Sequence, residues 1–270
     1  MSEELINKVL AEVVKKMGGD DPAPSTAPVP APAPTPAAGV LPAVTEFVGT
    51  NVLGDTIGMV IANVDPKLRA MMKLEKDFRS IGILGARTGA GPHIFAADEA
   101  VKATNSEILT IELPRDTKGG AGHGSLIIFG AEDVSDARRA VEVALGELDR
   151  TFGDVYGNDA GHLEFQYTAR ASYALNKAFG APIGKAFGIT VGAPAGIGVV
   201  LADTAVKAAT VDVIGYASPA GGTSFSNEVI SFLSGDSGAV RQAIIAAREV
   251  GIPLLGALGA TPESTTTPYI

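Results

Sequence analysis

The chain repeats itself. Ala97-Asp-Glu-Ala-Val-Lys-Ala103 returns as Ala202-Asp-Thr-Ala-Val-Lys-Ala208, identical at six of seven positions. Glu107-Ile108-Leu109 is matched in character by Asp212-Val213-Ile214, and Asp133 with Arg138-Arg139-Ala140-Val141 by Asp236 with Arg241-Gln242-Ala243-Ile244. Upstream, Ile81-Gly82-Ile83 corresponds to Phe187-Gly188-Ile189. The register drifts by only two residues between the helical segments, which marks a duplication. Whatever one copy folds into, the other must fold into as well.

Each copy reads the same way. An apolar strand (Ile81 to Leu84; Phe187 to Val191) leads through a Gly-rich turn into a helix (about Ala96 to Thr104; Leu201 to Ala209). A second strand follows (Glu107 to Glu112; Asp212 to Tyr216), then a Gly-rich loop and a third strand (Ser125 to Phe129; Glu228 to Leu233). A closing helix ends the unit. In the first copy Asp133 caps it, and Val134, Ala137, Val141, Ala144, Leu145 and Leu148 share one face. Another block precedes each unit, Glu46 to Lys73 and Glu164 to Lys177; the first holds a strand, Thr56 to Ala62, and a helix near Pro66 to Lys73. Strands alternating with helices predict an α/β class, in an α+β sandwich-like form with helices packed on a small sheet.

With 270 residues, 46 % hydrophobic, and a mean hydropathy of +0.25, there is enough apolar material for two cores. The net charge of -9 disfavours nucleic acid and anionic lipid as general partners. No apolar run is long enough to span a bilayer, and the first residues contain no unbroken apolar signal core. The chain therefore reads as soluble and intracellular. The absence of cysteine excludes disulfides, thiolate nucleophiles and Cys-ligated metals.

The N-terminal part differs in kind. Ser2 to Met17 places Leu5, Ile6, Val9, Leu10, Val13, Val14 and Met17 on one helical face, and Gly18-Gly19 stops the helix. Asp20 to Ala38 alternates Pro and Ala, which favours an extended polyproline II tether. So short a helix is marginal alone in water, so its apolar face needs a partner. It either folds back on its own chain or docks elsewhere; the stiff tether favours docking. The expected organisation is a docking helix over 1–18, a linker over 19–40, one unit over 41–155, a second over 156–259, and a tail over 260–270.

A strand, a Gly-rich turn, Ala-Asp-x-x-Val-Lys-Ala, an acid-led strand and Gly235-Asp-Ser-Gly-Ala-Val-Arg241 together resemble the bacterial microcompartment (BMC) shell domain. Two copies, each with its closing strand and helix moved ahead of the unit, resemble the circularly permuted tandem class. Ser80-Ile-Gly-Ile-Leu-Gly-Ala-Arg-Thr-Gly-Ala-Gly-Pro-His93 and Leu113-Pro-Arg-Asp-Thr-Lys-Gly-Gly-Ala-Gly-His-Gly-Ser125 bring the resemblance closest to tandem shell proteins of propanediol-utilisation compartments. The resemblance implies a cytoplasmic homotrimer, a pseudohexameric ring tiling with other shell hexamers. It also implies small pores for polar metabolites such as diols, a tie to the enclosed enzyme core through the N-terminal extension, and no catalysis or cofactor. A shell protein of an ethanol- or ethanolamine-utilising compartment, a trimeric small-molecule-binding protein, and an enzyme with an unrecognised site remain as alternatives.

Residue roles follow from the same resemblance. Lys102 and Lys207, at matching positions, become candidates for the edge between neighbouring rings; otherwise they are solvated charges. The loops Pro114 to Gly124 and Ser218 to Asn227 become candidate pore linings, through Asp116, Lys118, Gly119, Gly120, His123, Gly221, Gly222, Thr223 and Ser224, or else are ordinary Gly-rich connections. Leu5, Ile6, Val9, Leu10, Val13 and Met17 are the candidate cargo-docking face. Gly85 to Gly91 and Gly192 to Gly198 lack nucleotide-loop spacing. His93, His123 and His162 are scattered, with no metal-ligand spacing, and His93 is expected to be packed or capping.

Overall fold

The computed structural model of the chain describes residues 44–74, 76–114, 124–220 and 227–270. The order of elements is the same in both copies: two strands, a short helix, a strand, a long helix, two strands and a long helix. In the first copy these are β1 (Phe47–Asn51), β2 (Thr56–Ile61), α1 (Pro66–Met72), β3 (Ser80–Ala86), α2 (Ala90–Ala103), β4 (Glu107–Glu112), β5 (Ser125–Ala131) and α3 (Val134–Thr151). In the second they are β6 (Val155–Asn158), β7 (Gly161–Thr168), α4 (Tyr173–Phe179), β8 (Ala186–Ala193), α5 (Ala195–Ala208), β9 (Asp212–Ala217), β10 (Val229–Gly235) and α6 (Ser237–Gly256).

Each copy builds one antiparallel sheet, ordered β1-β2-β3-β5-β4 and β6-β7-β8-β10-β9. The hairpins β1–β2 and β6–β7 precede their units in sequence yet pair beside β3 and β8, which is the permuted order. A final strand, β11 (Glu263–Ser264), extends the second sheet by pairing with β6. The segment read as a tail is thus part of the fold, and its last residues are tied down. Asp154, fully buried, accepts hydrogen bonds from the backbone N–H of Tyr269 (2.9 Å) and Ile270 (3.0 Å) and pairs with Arg248 at 2.6 Å.

The long helices lie on the sheets because small residues let them approach. Ala96, Ala97 and Ala100 of α2 and Ala137, Ala140 and Ala144 of α3 are all fully buried where those helices pack together. Two repeated glycines do the same under the helices. A Cβ on Gly82 would lie 2.6 Å from the Ala137 carbonyl, and one on Gly188 2.9 Å from Ile244.

The short helices share their ends. Asp65 accepts from the N–H of Lys67 (2.9 Å) and Leu68 (3.1 Å), and Ser172 from that of Tyr173 (2.6 Å). Each helix stops on a left-handed residue, Lys73 (φ 53°) or Gly180 (φ 69°).

Three expectations need correction. The helices α2 and α5 start six residues earlier than the pattern suggests, because the glycines read as turn sit inside the first helical turns. There they allow close approach: a Cβ on Gly198 would meet the Val229 carbonyl at 2.6 Å. Asp133 occupies the N-cap position of α3 without a side-chain capping bond. Val134, expected on the buried face, is exposed.

Candidate functional site

The two copies meet along a seam made by α2 of the first and α4, β7 and β8 of the second. One hydrophobic core runs across it, joining Ile94, Phe95 and Ala97 to Ala174, Leu175, Phe187 and Ile189. Phe95 stacks on Phe187 at 5.9 Å, and Phe187 on Phe179 at 6.0 Å. At the polar end of the seam, fully buried Asp98 accepts from the N–H of Ser172 (3.0 Å) and Leu175 (3.2 Å). It therefore satisfies the start of α4, a helix belonging to the other copy. Burial pushes the Asp98 carboxyl up from its ordinary value, against the pull of Lys102 and of the two N–H groups.

The matching lysines differ. Lys102 reaches Asp98 at 2.9 Å, Glu99 at 2.8 Å and Thr168 of the second copy at 3.4 Å, and its side chain is 25 % exposed. Lys207 is 73 % exposed and pairs only with Asp203, at 2.7 Å, among the described residues. The expected pore residues Asp116, Lys118, Gly119, Gly120, His123, Gly221, Gly222, Thr223 and Ser224 lie outside the described residues, as do Leu5, Ile6, Val9, Leu10, Val13 and Met17. His93 is packed: its Nε2 lies 2.7 Å from the Thr56 hydroxyl, and burial lowers its pKa to about 4.

The seam is made once and left open once. Counting along the repeat, Val199 and Val200 of α5 occupy the places of Ile94 and Phe95, and Leu68 of α1 that of Leu175. Ile94, Phe95 and Leu175 are at most 2 % exposed, whereas Val199 is 49 %, Val200 41 % and Leu68 48 % exposed. Val206 of α5, Met71 of α1 and Val213 and Tyr216 of β9 are exposed as well. A single chain thus carries both halves of a second seam and closes neither. Sequence reading missed this, because the residues look like ordinary core positions until the first copy shows what covers them.

The BMC domain family matches residues 80–158 and 186–260, and the chain belongs to that family as a tandem-domain bacterial microcompartment shell protein. The shell protein PduB of Citrobacter freundii is 63 % identical over 269 residues, covering 100 % of this chain and 99 % of the relative. The crystal structure of a trimeric bacterial microcompartment shell protein PduB superposes with a TM-score of 0.81 at 55 % identity, covering 84 % of this chain and 100 % of that one. EtuB from Clostridium kluyveri also gives 0.81, at 57 % identity over 85 % of this chain and 100 % of its own. Among the described residues no helix is long and apolar enough to cross a membrane.

Proposed function

We propose that three chains close into a ring of six domains, a structural tile in the shell of a propanediol-utilising microcompartment in the cytoplasm. One observation carries the ring: the chain makes one seam between its copies and exposes the two complementary halves of another. Such a heterologous surface generates either a closed ring or an open filament. The trimeric relative favours closure. EtuB is as similar in structure, so the choice of compartment rests on the full-length PduB match, which includes the N-terminal extension. Light scattering on the purified chain tests the ring. Three chains of 27.4 kDa make about 82 kDa; a stable monomer at working concentration would sink the proposal.

The remaining roles stand on the resemblance. The tile is structural and not catalytic, and the loops around Lys118 and Thr223 line openings for diols. Residues 1–40 tie the ring to the enclosed enzymes, so removing 1–38 should leave the ring intact and cut the enzyme retained in isolated compartments. Unchanged retention would count against it. Lys102 and Lys207 lie along ring edges, their stems flat and their ammonium groups meeting carbonyls of the next ring. Lys207 is the cleaner probe, because its side chain is the more exposed, whereas Lys102 is already held by Asp98, Glu99 and Thr168 within the chain. Lys207→Ala should spare the ring and shorten the sheets seen by electron microscopy, and sheets of normal extent would reduce it to a solvated charge.

A further inference from the structure

The closed seam and the open one use the same positions of the repeat, so each residue of the first has a counterpart in the second. Asp98 of α2 matches Asp203 of α5, and Lys102 matches Lys207. Ser172, Ala174 and Leu175 at the start of α4 match Asp65, Lys67 and Leu68 at the start of α1. The apolar part carries over with little change. A Cβ on Gly91 would stand 2.9 Å from Glu164, whereas one on the matching Gly196 meets nothing within 4 Å. Ile57 holds the place of Glu164, since the two pair with corresponding residues, Gly85 and Val191, and it is 38 % exposed. In a ring it is the side chain available to fill the space over Gly196.

The polar end does not carry over. Within the chain Asp98 accepts from the N–H groups of Ser172 and Leu175, and Ala174 between them is fully buried. At the start of α1 that work is already done, because Asp65 accepts from the N–H groups of Lys67 and Leu68. A carboxylate brought there by Asp203 of another chain finds those donors taken. What it finds instead is Lys67, in the place of Ala174.

Lys67 is exposed in the single chain and forms no ion pair among the described residues. The other cations of α1 are placed differently. Arg69 is held by Asp77 and the Val64 carbonyl, and Lys73 closes the far end of the helix in a left-handed conformation. On the facing surface the Asp203 side chain is 58 % exposed and pairs with Lys207. Closing the ring covers Lys67 as Ala174 is covered within the chain. An ammonium group taken out of water needs a carboxylate beside it, and α5 presents one at the matching place.

Resting on the ring proposed above, we infer that Lys67 of one chain and Asp203 of the next form an ion pair that fastens each seam between chains. Asp65 and Lys207 stand beside it, so the set holds two acids and two bases. Glu99, a second acid next to Asp98 within the chain, is Thr204 on α5, which keeps that set balanced. The seam within a chain is fastened by a carboxylate on a helix start, and the seam between chains by a pair of opposite charges. Ring closure thereby carries an electrostatic check on the incoming copy that folding of the single chain does not.

Charge exchange on the full chain tests this. Lys67→Glu puts an acid at the second position of α1, which suits that end of a helix, and Asp203 is more than half exposed. Both single variants should therefore fold as the wild type does by circular dichroism. In light scattering over a dilution series each should weaken association by at least about tenfold per seam. Lys67→Glu sets two carboxylates together and Asp203→Lys two ammonium groups. The double variant Lys67→Glu/Asp203→Lys restores opposite charges and should associate within about threefold of the wild type. Single variants that trimerise as tightly as the wild type, or a double variant no tighter than either single, would overturn the pair and leave the ring. A wild type that stays monomeric over the whole series overturns both.

Discussion

Leu68→Asp is expected to leave a folded chain of 27.4 kDa where the wild type forms a ring of about 82 kDa. Leu68 is already half-exposed in the single chain, so charging it costs the fold little. In the ring it takes the place that Leu175 holds within the chain, fully buried against α2. Burying a leucine is worth about 1.5–3 kcal/mol, and a carboxylate there adds a desolvation cost of several more. The combined loss corresponds to at least about a thousandfold weaker association per seam. Leu175→Asp is the paired control. It puts the same charge in the seam inside the chain, and should abolish soluble folded protein. Size-exclusion light scattering with circular dichroism separates the two results; a Leu68→Asp protein that still runs as a trimer would show that α1 is not at the interface.

The second large effect is at Asp98. Its carboxylate satisfies the first N–H groups of α4 and neutralises Lys102, all within a buried seam. Asp98→Ala removes those partners at once and should cost about 3–5 kcal/mol, the usual penalty for breaking one side of a buried pair. Asp98→Asn, which keeps an acceptor but loses the charge, should cost less. The matching Asp203 is exposed within the chain, and the first copy's short helix is already capped by Asp65, so Asp203→Ala should leave chain stability nearly unchanged in urea unfolding. Equal losses at the two positions would mean that the repeat, not the seam, makes Asp98 important. The copies also differ chemically at this point. In the first copy Asp65 caps its own short helix, whereas in the second Ser172 leaves part of that work to Asp98.

Much of the molecule was legible in the linear chain. Duplication appears in Ala-Asp-x-x-Val-Lys-Ala and its flanks, and the central strands of each copy stand within a few residues of where their apolar runs place them. The misreadings share one cause. Gly91, Gly196 and Gly198 look like turns, yet they lie within helices, and Gly91 and Gly198 are small because the Glu164 side chain and the Val229 carbonyl lie against them. Strands β1, β6 and β11 escaped notice because segments of two to five residues carry little periodicity.

What the sequence determined by itself was the repeating unit, its class and its kinship, since periodicity, helix-ending residues and duplication act locally or by direct comparison. Only the tertiary structure decided which of two near-identical surfaces is core and which is interface. Val200 and Phe95, or Leu68 and Leu175, are equally apolar on paper. Their burial depends on whether another domain covers them, and one chain has only enough domains to cover the first pair.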